Sequence, residues 1–311
     1  PQAETTYRHV GSRPYWCWGY EHGFNEHQVV IGNEGLASKL PEAATPKLIG
    51  MEVLRLGLER SRTAAEAVEV MIDCITRFGQ GKFANDDAVR TYDNGYIVAD
   101  PHEAYAIETA RHQWVVERVE KTIGISNVYS LDTGWHRVSP MAEAEAVDHG
   151  WWQTKTGRFN FADAYSKSSR TEGSGARRRA RSCAMLSHHE GDIDAQSMMA
   201  LLSDHADGLA PHEPLKTLPG SCSGICVHCN ADGTGGNTAA SLVAELCADE
   251  TRLPTVLSRD DKEPSDDSPW WRFHQLAHLA RTQPNTIPAI CAHWSEWQTH
   301  LYTSARQIAV E

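Results

Sequence analysis

The sequence predicts an α+β fold in which helices cover an antiparallel sheet. Two amphipathic segments near the start have a 3.6-residue apolar period and form a helical pair. Three short segments with a two-residue period follow directly, then a helical stretch, then strand-like segments again. The strict strand–helix alternation of a parallel α/β fold is absent, as is any repeat of about 20–50 residues.

Taking the elements in order, "NEHQVVIGNEGL" centres on the β-branched run Val29–Ile31, bounded by Gly32 and Asn33, which predicts a buried strand. "TPKLIGMEVLRLGLERS" predicts a helix with Leu48, Ile49, Val53 and Leu56 on its apolar face. "RTAAEAVEVMIDCITRFGQG" predicts a second helix. Thr63 and Glu66 make a capping box, Val68, Met71, Ile72 and Ile75 line one face, and Gly79 or Gly81 ends it. "NGYIVADPHEAYAIETARHQWVVERVE" predicts an antiparallel meander over about 95–99, 104–109 and 113–119, with a turn at Asp100-Pro101-His102-Glu103. Helices are expected over 140–149, 160–167, 174–188 and 194–205, the last capped by Asp192 or Asp194. "ICVH" and "AASLVAEL" read as strands joined through "NADGTGGN". The acidic run "SRDDKEPSDDSP" reads as a solvated loop, and helices are expected from Ser268-Pro269 and over Pro288–Val310.

The 311 residues are 41% hydrophobic and 23% charged, ordinary for a soluble chain large enough to bury a core. A net charge of −12 argues against a nucleic-acid or anionic-membrane partner, since either needs a basic face. The basic run Arg177, Arg178, Arg179 and Arg181 reads as the solvated side of a helix. No apolar run approaches the ~18 residues of a membrane span, and no secretory-signal pattern is visible. Eight cysteines in so long a chain are not needed as staples, which points to a reducing, cytoplasmic setting. Cys74 and Cys183 read as small core residues.

"CSGICVHC" has the C-x3-C-x2-C spacing that can hold a [4Fe–4S] cluster. Ile225 and Val227 alternate as in a strand, which would turn Cys226 and Cys229 to opposite faces. A zinc site would need a second ligand pair, and His212 and His228 do not make one by spacing. The expectation is therefore no metal and no cofactor. "DGTGGNT" lacks the lysine of a phosphate-binding loop and reads as a turn. The pair His188-His189 sits at a helix end, where positive charge suits the dipole. Cys17, between aromatic residues, reads as a buried thiol rather than a nucleophile.

"SRPYWCWGYEHGFNEHQVVIGNEGL" resembles the dipeptidase A/secernin family of cysteine peptidases. The similarity continues through "LIGMEVLRLGLERSRTAAEAVEVM", "FGQG", "YDNGYIVADPHEAYAIETARHQWVVERV", "GISNVYSL", "FNFADAYS" and "ICVHCNADGTGGNTAASLVAEL" to "SPWWRF". It spans roughly residues 11 to 275, in order. The resemblance implies an N-terminal-nucleophile hydrolase, an αββα four-layer sandwich of antiparallel sheets, which cleaves short peptides through a cysteine acyl-enzyme. On this view residues 1–260 form the hydrolase-like domain, and 261–311 form the acidic loop and C-terminal helices packed on it.

By position, Asn127 in "ISNV" resembles the family's oxyanion-hole asparagine, and Asn25 and Asn33 are weaker substrate-side candidates. All three also suit turns and strand ends. Glu26 and His27 match the pattern without a mechanism that requires them. The segment that carries the family's nucleophile has no counterpart ahead of "RPYW", and an apolar strand expected after "TRLPTVL" is missing. Two expectations follow: the sheet has an unfilled position or an exposed edge, and this chain alone has no peptidase activity. The expected partner is a short peptide, with a homo-oligomer or an N-terminal fragment left open. The alternatives are a catalytically inactive secernin-like scaffold and an acyltransferase using the same acyl-enzyme chemistry.

Overall fold

The computed structural model describes residues 3–14, 16–84, 89–154, 157–205, 224–227, 238–249 and 254–259. The chain divides into two compact units, Pro1–Ser187 with Leu246–Glu250, and His188–Glu245 with Thr251–Glu311.

The first unit is built on an antiparallel sheet in the order β1 (His9–Ser12), β2 (His22–Asn25), β3 (Val30–Leu36), β6 (Asp93–Ala99), β7 (Ala104–Ala110), β8 (Gln113–Arg118) and β9 (Arg137–Val138). A small hairpin, β4 (Phe83–Ala84) with β5 (Val89–Arg90), stands apart from it. The meander β6–β7–β8 lies where its two-residue period places it. Its first turn closes as Asp100 N–H donates to Glu103 O (3.0 Å), and Asp100 Oδ1 accepts from the His102 and Glu103 N–H groups. Asp100 Oδ2 also accepts from Ala64 N–H (2.7 Å), fastening this turn to the start of a helix.

Two helices, α1 (Gly50–Arg60) and α2 (Ala64–Phe78), cover one face of the sheet. They bury Val53, Leu54, Leu58, Val68, Met71, Ile72 and Ile75 against Val29, Ile31, Tyr96, Val98, Ile107, Trp114 and Val116. The buried side of α1 runs through Leu54 and Leu58, leaving Leu56 half-exposed. Leu48 and Ile49 precede the helix, because the Leu48 carbonyl accepts from Gly81 N–H (3.1 Å) in a short parallel bridge. In α2, Thr63 caps through its hydroxyl, which accepts from Glu66 N–H (3.1 Å). The Glu66 carboxylate reaches Arg62 N–H (2.7 Å) instead of the Thr63 backbone, so only half of the expected capping box forms. Gly79 ends α2 with φ +66, and a Cβ there would lie 2.4 Å from the His112 ring.

The opposite face carries Leu36, Ala106, Ala110 and Val115. They pack on Tyr129, Leu131, α3 (Ala142–Asp148) and α4 (Phe161–Tyr165). Among the described residues this gives a helical pair, a sheet, and a layer of loop and short helices. Within the first unit the described residues hold no second sheet stacked on this one, so the expected αββα sandwich is not seen there.

Helix α5 (Ser174–His188) matches its expected span. Its buried side is Ala176, Ser182 and Leu186, and Arg179 falls on the same stripe by the three-to-four-residue spacing. Arg178 and Arg179 are half-buried, so the basic run is not simply a solvated face.

In the second unit, α6 (Ala195–Leu202) is capped by Asp194, whose Oδ1 accepts from Ser197 N–H (2.7 Å). A hairpin pairs β10 (Ser241–Glu245) with β11 (Thr255–Arg259), so the strand reaches into residues expected to be acidic loop. Gly224–Cys226 form a bend rather than the expected strand, and Cys226 N–H donates to Asp204 O (2.9 Å). Cys222, Cys229, His212, His228, "NADGTGGN" and the helices expected after Ser268 lie outside the described residues. No helix among the described residues is long and apolar enough to cross a membrane.

Candidate functional site

The three asparagines do not come together. Asn25 is buried at the end of β2 with its amide consumed inside the fold. Its Nδ2 donates to the carbonyls of Leu58 (2.9 Å) and Ser61 (2.7 Å), and its Oδ1 accepts from His27 (3.0 Å) and Val29 (3.1 Å) N–H. Asn33 points to the α1 side of β3. With its amide turned to match its neighbours, Nδ2 donates to Glu21 Oε2 (2.8 Å) and Oδ1 accepts from Met51 N–H (3.3 Å). Glu26 pairs with Arg8 (2.8 Å), and His27 meets the Tyr7 ring edge-on.

Asn127 is different. It is exposed, on the loop after β8, and its amide bridges two elements. Nδ2 donates to the Gly35 carbonyl at the end of β3 (3.0 Å), and Oδ1 accepts from the Arg178 guanidinium of α5 (2.6 Å). An amide nitrogen carries two hydrogens. The second has no acceptor among the described residues. A cation on Oδ1 draws electron density from the amide and makes that remaining N–H a stronger donor.

Beneath this loop lies a buried polar line. Glu34 on β3 pairs with Gly95 on β6, and Gly95 pairs with Glu108 on β7. Both glutamates face the side away from α1 and α2, because Leu36 and Ala106, on the same strand parity, pack there. Gly95 makes room for them: a Cβ there would lie 3.0 Å from Glu34 Oε1. Glu34 Oε1 and Arg179 Nε are buried, and among the described residues neither has a hydrogen-bond partner.

Glu108 is fully buried and well partnered. Oε1 accepts from Ser130 N–H (2.7 Å) and Ser130 Oγ–H (2.7 Å), and Oε2 accepts from Leu131 N–H (3.0 Å). Burial pushes its pKa up to about 7, opposed by those donors and by Arg179. Glu34 is raised well above the usual carboxylate range, first by burial and then by the charge of Glu108, while Arg178 and Arg179 pull the other way. Burial also lowers the Arg178 pKa, with Glu34 opposing.

Sequence reasoning singled out Asn127 but missed Glu34, Glu108 and the inward role of Arg178 and Arg179. The available signal was Glu108 itself, a lone charge inside the apolar strand "AYAIETA", where a charge is rare unless partnered.

Neither Cys17 nor Cys74 is placed as an activated nucleophile. Cys17 and Cys74 are buried, and burial raises both pKa values. The Cys17 Sγ accepts from Gly19 N–H (3.2 Å). Cys183, expected in the core, is only half-buried. Among the described residues no group of three or more His, Cys, Asp or Glu side chains is placed to hold a metal ion.

No protein-family model matches the sequence. Among solved structures, the chain is similar to a point mutant of conjugated bile acid hydrolase from Clostridium perfringens, at 13% identity and a TM-score of 0.36. The alignment covers 66% of this chain and 66% of that one, a likeness too slight to bear on activity.

Proposed function

We propose that this chain belongs to a hydrolase of short peptides of the N-terminal-nucleophile type, working through a cysteine acyl-enzyme. The collinear resemblance over residues 11 to 275 supports the reading. The observation that carries it is the Asn127 amide, held at both ends by Gly35 and Arg178 with one N–H uncommitted. An oxyanion donor needs such an orientation fixed beforehand. Cys17 and Cys74 are buried with raised pKa values, which suits neither to the nucleophile's part; the reading assigns that part to an N-terminal cysteine. An N-terminal cysteine would use its own α-amino group as the base.

The test begins with intact mass and N-terminal sequencing of the protein from its native source, followed by a dipeptide-hydrolysis assay. A mature chain that starts with cysteine, turns over dipeptides and loses turnover on Asn127→Ala bears out the proposal. A chain that folds, has no such residue and shows no thiol-dependent turnover points instead to the non-catalytic scaffold. Transfer products with an added amine would favour the acyltransferase.

A further inference from the structure

Three hydrogen bonds donated to one buried carboxylate organise the loop that carries Asn127. Glu108 gathers Ser130 N–H, Ser130 Oγ–H and Leu131 N–H, while Tyr129 Oη–H donates to the Thr109 carbonyl next to Glu108 on β7 (2.6 Å). Asn127 lies three residues before Ser130, and the loop is tight between them, with Val128 N–H bonded to the Ser126 carbonyl. We propose that Glu108 is a positioning residue, whose carboxylate sets the loop so that the Asn127 amide meets both Gly35 and Arg178. The catalytic meaning of this placement rests on the function proposed above; the placement itself does not.

A second route joins the same two residues. Arg179, which acts on Glu108, is adjacent on α5 to Arg178, which holds Asn127. Among the described residues, the other charged or titratable groups near the carboxylate include Glu34 on β3, Tyr129 in the loop, and Glu117 on β8, itself coupled to Asp132 and Arg179. Because burial raises Glu108 to about 7, its proton is exchanged in an accessible range, and the positioning becomes pH-dependent. Protonation removes negative charge from the oxygens that receive the loop donors and relaxes the hold on the loop.

Amide NMR of the full chain between pH 5 and 9, as a rough working range around Glu108, tests this without any activity. The Ser130 and Leu131 N–H resonances and the Asn127 Nδ2 protons are expected to move with one common midpoint, raised toward about 7 by the burial of Glu108. In Glu108→Gln, which presents an NH2 group to the Leu131 N–H, the common titration should vanish. If Ser130 and Leu131 titrate while Asn127 stays fixed, Glu108 supports only its own loop contacts and the proposal is overturned. It is equally overturned if none of them titrates. Should Glu108→Gln not fold, the wild-type titration still decides. If Asn127 follows Glu108 but Asn127→Ala leaves turnover intact, the positioning stands and the hydrolase reading fails.

Discussion

Glu108 is both well bonded and expensive to ionise, and the sign of its effect on stability follows from that. Its pKa is about 7 in the fold, against an ordinary value of 4.5. Between those values the folded protein keeps a proton that the unfolded chain has released, so stability falls as pH rises through this window. The loss is on the order of 3 kcal/mol by linkage. Urea midpoints should therefore be lower at pH 8 than at pH 5, and Glu108→Gln should reduce the difference without abolishing it, since the raised Glu34 acts with the same sign; equal midpoints in the wild type would remove the argument. Asn127 belongs to the other class of residue. Exposed and outside the core, its change to alanine should alter stability by less than about 1 kcal/mol. As an oxyanion donor it should lower kcat by about 10²–10³-fold, which steady-state kinetics would measure.

Among the elements, α2 shows how local chemistry and packing divide the work. Its N-terminus is held by one Thr63 hydroxyl bond, so Thr63→Ala should cost about 1 kcal/mol in chemical denaturation. The period of α2 predicted its buried face, since a 15-residue helix lying flat on a sheet presents the same stripe along its length. In α5 the period was legible but the charge misled: arginine on the inward stripe looks like solvent-facing sequence until buried carboxylates appear opposite it. Between β3 and β7 the decisive residue is small. Gly95→Ala puts a methyl 3.0 Å from Glu34 Oε1 in a closed space, and overpacking of this kind costs about 1–3 kcal/mol. Thermal unfolding of that variant should show the loss, and an unchanged Tm would mean that Glu34 has room to move.

Across the first unit, the buried thiols report global rather than local opening. Cys17 and Cys74 are buried and held as thiols, so a thiol reagent should reach them in step with unfolding, more slowly than half-buried Cys183. Residue-resolved mass spectrometry over a urea series would separate these classes, and fast native labelling of Cys17 would contradict its burial. The helical pair, the meander and the spans of α5 and α6 were legible along the chain, because each depends on periodicity or capping within a few neighbouring residues. Resemblance, also a property of the chain, pointed to Asn127. Folding was needed to line up Glu34, Gly95 and Glu108 across three strands, to turn Arg178 and Arg179 inward above them, and to leave Asn127, of the three asparagines, with an N–H uncommitted. Strand register and burial join residues that lie tens of positions apart in the chain, and no local pattern encodes which of them will meet.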